Sequence, residues 1–162
     1  MFANRFTALV DACSLAGVAS RNLLLTLAEA EFFRLRWSDE ILHETERAIA
    51  RILSAQGVAD AADQALRNRR AMEEAFEDAM VCGYADFLPT SAGLPDPKDA
   101  HVLAAALKTE AHMIVTENLK DFPALVLGPS ISRRSPRTPS SRTPSACTSG
   151  AASKRCASCA RG

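Results

Sequence analysis

Four short apolar runs, at residues 6–13, 32–37, 81–84 and 112–116, alternate with longer stretches of helical periodicity. That alternation leaves few folds open. Strands joined through helical crossovers pair in parallel, and a parallel sheet must be covered by helices on both faces. The expected class is therefore α/β, with three layers and a central parallel sheet of about four strands.

Taken in order, the first run ends on Asp11. A carboxylate at the C-terminal end of a strand in an open α/β sheet projects into the crevice where ligands bind. The same residue could instead cap the next helix, a task for which Ser14 competes. Helical periodicity then extends over 14–30, and the run at 32–37 alternates apolar residues with Arg34 and Arg36. Ser38 is the expected N-cap of a helix whose buried stripe is Ile41, Thr45, Ala48, Ile49 and Ile52. Glu44 falls along that stripe, so it should snorkel, pair with a base or hold a metal, whereas His43 points elsewhere and reads as a surface residue. A further helix is expected over 58–80, with Arg70 placed to pair with Glu73 or Glu74.

The stretch from Leu94 to Leu107 turns a proline-punctuated loop into an alanine- and leucine-rich helix. Pro97 suits the first helical turn, Asp96 is the natural N-cap, and Asp99 lies about one turn further on. Both acids can face a common point, although acids in a first turn also serve simply to complement the helix dipole. Oxygen ligands at such a place suit a hard divalent cation. The strand at 112–116 is followed by Thr116, Asn118 and Asp121, a second group of oxygen-bearing side chains past a strand end.

Charge divides the chain. Residues 1–129 hold all 19 acids against 12 bases, and residues 130–162 hold seven bases and no acid. Ile131 is the last large aliphatic residue, so the chain reads as a domain over 1–129 and a disordered basic tail rich in Ser, Arg and Pro over 130–162. Cys156 and Cys159 have metal-knuckle spacing but lack a second ligand pair in the tail. No secretory signal or membrane span is evident, which leads one to expect a cytoplasmic protein. An acidic body has no general attraction for a polyanion, so any polyanion binding must be local, with Arg34, Arg36 and Lys120 as candidates.

Together these residues resemble the PIN-domain ribonucleases, and in particular the VapC-like toxins of toxin–antitoxin pairs, over about 6–123. The first-acid motif is Leu9-Val10-Asp11-Ala12 and the second Ile41-Leu42-His43-Glu44. Leu94-Pro95-Asp96-Pro97-Lys98-Asp99-Ala100-His101 is similar to the third, and Ile114-Val115-Thr116-Glu117-Asn118-Leu119-Lys120-Asp121 to the fourth. The resemblance implies a PIN-like fold and a Mg²⁺- or Mn²⁺-dependent endoribonuclease. Asp11, Glu44, Asp99 and Asp121 would be the catalytic acids; Asp11, Asp96, Asp99 and Asp121 would hold the metal; Thr116 and Asn118 would be auxiliary. It also implies a cognate antitoxin whose C-terminal segment crosses the acidic pocket, and a homodimer built on the helices of 14–30 and 38–80. Clustered carboxylates need a cation among them, because they otherwise repel and resist ionisation.

The family would continue past residue 123 with a helix and a last strand, whereas this chain continues into the Ser/Arg/Pro tail. A frameshift near 124–130 is one account, leaving the C-terminal strand missing; a basic arm gripping RNA is the other. A catalytically inactive PIN-like remnant that still binds an antitoxin is thus an alternative function. An α/β phosphatase or receiver-like domain with Asp11 as nucleophile is a third, and for it only Thr116 is well placed.

Overall fold

The computed structural model describes residues 6–91, 94–120 and 122, together with the main chain of 132–134. In chain order the elements are β1 (Thr7–Val10), α1 (Ala12–Ala16), α2 (Val18–Glu29), β2 (Arg34–Ser38), α3 (Asp39–Ala55), α4 (Ala61–Ala75), β3 (Met80–Val81), α5 (Ala100–Lys108), β4 (Met113–Val115) and β5 (Ser132–Arg134). The strands form one sheet in the order β3-β2-β1-β4-β5. Every neighbouring pair is parallel, with Leu9 facing Arg36 on one side and Ile114 on the other. This is the expected PIN-like α/β architecture. All four β1 residues are buried, as a central strand requires.

The strand order defines where a ligand belongs. From β1 the chain steps outward to β2 and β3, then returns to place β4 on the opposite side of β1. The order therefore reverses between β1 and β4, and the crevice of an open α/β sheet lies beyond the carboxyl ends of such a strand pair. Asp11 follows β1 and Thr116 follows β4.

Several expectations need correction. The single helix over 14–30 is two, broken at Gly17, whose backbone is extended (φ −73°, ψ 130°). Arg21 fills the break. It is buried, and its Nη1 donates to the carbonyls of Leu15 at 2.9 Å and Ala16 at 3.3 Å, giving partners to the end of α1. Burial pushes its guanidinium below the usual arginine value. In α3, Ser38 caps as expected, accepting from the Ile41 N–H, and Ile41, Thr45 and Ile49 are buried. Ile52, in the last turn, is instead 42% exposed.

The second correction concerns the α3–α4 contact. Arg69, rather than Arg70, carries the ion pairs, reaching Asp39 at 2.6 Å and Glu46 at 3.3 Å on α3, and Glu73 at 2.9 Å on its own helix. The sequence shows the i,i+4 relation but not which arginine faces the neighbouring helix. Burial works to lower the Arg69 pKa, yet the surrounding carboxylates hold it above its ordinary value. His43 stays largely exposed, as expected, and stands against Asp39 and Arg69.

The third concerns the sheet's edge. The C-terminal strand expected to be missing is present as β5, pairing with β4 over Met113↔Ser132 to Val115↔Arg134. Parallel pairing uses main-chain groups, so a segment without an apolar stripe can still add to an edge. Within the stretch 130–162 the structure describes the main chain of Ser132–Arg134 as a strand, and the rest of that stretch lies outside the described residues.

Candidate active site at the β1–β4 edge

Asp11 is fixed from three directions. Its Oδ1 accepts the Ala12 N–H at 2.7 Å, so it does cap α1. Its Oδ2 accepts the Thr116 hydroxyl at 2.8 Å, across from β4. The Cys13 thiol donates to the same oxygen at 3.0 Å. Burial pushes the Cys13 thiol up, and the Asp11 charge pushes it further, so the thiol stays protonated and able to donate. The two readings of Asp11 made from sequence are thus both true: cap and crevice carboxylate are one residue.

The electrostatics of Asp11 are distinctive. It is 7% exposed, and among the described residues no Lys, Arg or His forms an ion pair with it. Neutral donors alone offset only part of the cost of burying a carboxylate, so a cation beside it would be strongly favoured.

Thr116, fully buried, links the two strand ends. Besides donating to Asp11, its Oγ1 accepts the Asn118 N–H at 3.0 Å and lies 3.3 Å from the Cys13 sulfur. Asn118 therefore enters through its backbone. Thr116→Val keeps the shape but removes one donor to Asp11 and one acceptor for Asn118. A stability loss of about 1–3 kcal/mol is expected, as for a buried polar group left unpaired. Urea unfolding measures it, with Thr116→Ser recovering most of the loss.

The other expected site residues are distributed around this point. Asp96 caps the 3-10 turn Pro97–Asp99, its Oδ1 accepting the Lys98 N–H at 3.0 Å, and Asp99 stands at the N-cap position of α5. Glu44, half-buried on α3, has its Oε2 3.6 Å from His101 Nε2 and its Oε1 4.0 Å from Arg47. His101 is the residue that sequence reasoning passed over. Its Nδ1 lies 2.6 Å from the Lys98 carbonyl, and its Nε2 is buried beside Glu44. Its place inside the Asp96–Asp99 motif, one turn into the helix, was the available signal.

The expected three-carboxylate grouping of Asp11, Glu44 and Asp99 is not assembled: among the described residues no three His, Cys, Asp or Glu side chains converge to hold a metal ion. Glu44 instead stands beside His101 and Arg47. Asp121 lies outside the described residues. The donor chemistry of Asp11 fits a hard cation, while the donors that converge among the described residues are fewer than a complete site needs. Lys120 is exposed, in the turn after β4, and Arg34 and Arg36 lie on β2 away from this edge.

The buried Asp11 carboxylate stands at the reversal point of a parallel sheet, the place where open α/β folds put their ligand crevice. The PIN domain family model matches residues 7–120, and the chain belongs to that family. PIN domains in general are nucleases. No curated protein and no solved structure matches the chain.

Proposed function

We propose that this chain is an endoribonuclease and the toxin member of a toxin–antitoxin pair, acting at the β1–β4 edge with Mg²⁺ or Mn²⁺. The observation that carries the reading is the Asp11 carboxylate, buried beside neutral donors and without a basic partner among the described residues. Asp11, with Asp96, Asp99 and Asp121, would hold the ion. When bound, a divalent ion polarises a phosphate and lowers the pKa of water. The chain's own contribution is orientation. Ala12 N–H and the Thr116 hydroxyl fix the plane of the Asp11 carboxylate, and Asp96 orders the turn that presents Asp99. Glu44 and His101 form a second acid–base pair beside that turn.

A second reading is favoured by the dispersed carboxylates: a PIN-like domain without catalysis that keeps its antitoxin contacts. A basic antitoxin side chain would satisfy Asp11 as a metal does. A homodimer would use α2, on which Val18 and Leu23 are exposed. No helix among the described residues is long and apolar enough to cross a membrane.

The test is incubation of the purified chain with single-stranded RNA in Mg²⁺, in Mn²⁺ and in EDTA. Cleavage with either metal, abolished by EDTA, is the expected result. A folded chain that binds a cognate antitoxin but leaves RNA intact with both metals would establish the second reading and overturn the first.

A further inference from the structure

A cavity of about 360 Å³ opens between the start of β1, the exposed side of β2, β3 and the C-terminal end of α5. Arg34, Arg36 and Lys108 line it together with the hydroxyl-bearing Thr7 and Thr109, and among the described residues no acidic one does. Alternation along β2 explains the two arginines. They sit two residues apart and so share a face, while Leu35 and Trp37 are buried on the other. The register sets Arg34 beside Thr7, and α5 runs back from the Asp11 side to bring Lys108 and Thr109 to the same place. Among the described residues none of the three cations forms an ion pair, although Lys108 Nζ lies 6.0 Å from the centre of the Phe87 ring.

Three unpaired cations around one cavity repel one another, and they do so in a domain where acids outnumber bases by seven over residues 1–129. An anion relieves that repulsion. Guanidinium forks, an ammonium and two hydroxyls are the groups that recognise a phosphate, which accepts from several donors at once. We propose that this cavity is a phosphate-binding site for a free nucleotide, separate from the β1–β4 edge. The separation follows from the strand: Thr7 and Asp11 are four residues apart, about 13 Å along β1. The size favours a small molecule over a polymer, since ligand cavities begin at about 300 Å³.

The test is titration calorimetry on the full chain in EDTA, with adenosine 5′-monophosphate, inorganic phosphate and a five-nucleotide RNA as separate probes. Saturable binding of the mononucleotide is expected, weakened at least tenfold in an Arg36→Gln/Lys108→Gln double variant whose circular dichroism matches the parent. Arg36→Lys, which keeps the charge and loses the fork, should keep part of the affinity, and Asp11→Asn all of it. The inference is overturned if the mononucleotide does not bind saturably, if only the RNA oligomer binds, or if the double variant binds like the parent. Because the measurement excludes divalent metal and cleavage, it stands or falls independently of the nuclease reading.

Discussion

Asp11→Asn is expected to reduce RNA cleavage by at least about 10²–10³-fold, the scale of losing one group that acts directly on developing charge. The change is nearly isosteric. The amide oxygen still accepts from Ala12 N–H, and the NH₂ group can donate to the Thr116 oxygen in place of accepting from it. The fold should therefore survive. Stability supplies a second, independent readout. Asp11 is a buried charge with no cationic partner among the described residues, so its neutral isostere removes a desolvation cost. In EDTA the variant should unfold at the same temperature as the parent or higher. Added Mg²⁺ or Mn²⁺ should raise the melting temperature of the parent alone, since a ligand at a hundred times its Kd contributes about 2.7 kcal/mol. A variant that cleaved RNA at the parental rate would remove Asp11 from the chemistry. One that gained the same metal stabilisation as the parent would remove it from the ion.

Trp37→Ala should bring the largest stability loss. Trp37 is fully buried at the end of β2, and its ring meets Phe76 edge-on with centroids 6.0 Å apart. Truncating a buried aromatic of this size costs about 3–5 kcal/mol, from lost transfer free energy and from the cavity left behind. A domain of ordinary stability has only about 5–15 kcal/mol in total. Urea unfolding followed by far-ultraviolet circular dichroism gives the difference, because the substitution deletes the chain's single tryptophan and with it the fluorescence probe. Trp37→Phe separates two contributions. The indole Nε1 is buried without a hydrogen-bond partner among the described residues, so phenylalanine loses volume but also removes an unsatisfied donor. Its loss should be less than half that of alanine. Equal losses for the two variants would mean that shape at this position outweighs polarity.

The positions of the strands were legible because apolar runs of four or five residues between helical stretches have few other uses. Thr7–Val10, Arg34–Ser38 and Met113–Val115 all fall within or beside the expected segments. Caps were legible for the same local reason: Ser38 and Asp96 each bond an N–H two or three residues ahead. The break at Gly17 was hidden by a continuous apolar periodicity, and no local spacing marks Arg21 as the buried residue that supports it. Which arginine of α4 would meet α3 depended on the angle between two helices, and no sequence spacing encodes that angle. β5 escaped because main-chain pairing leaves little mark on side-chain pattern.

At the site the division is similar. Asp11, Thr116 and Asp96 could be named from their places at strand and helix ends, and the fold puts Asp11 and Thr116 within one hydrogen bond. The pairing of Glu44 with His101 joins α3 to α5 across 57 positions and could not be read from either motif. The cationic cavity was half visible, as Arg34 and Arg36 on one side of a strand; Lys108 joined them only because α5 ends there.

By itself, then, the sequence determined the α/β class, the parallel sheet, the strand-end carboxylate and the acidic character of the body, all consequences of short-range periodicity and composition. The tertiary structure alone decided which charges meet: Thr116 with Asp11, His101 with Glu44, Arg69 with three carboxylates, and three cations around one cavity. Those pairings depend on register and helix orientation, which arise from packing between distant segments and leave no local signature in the chain.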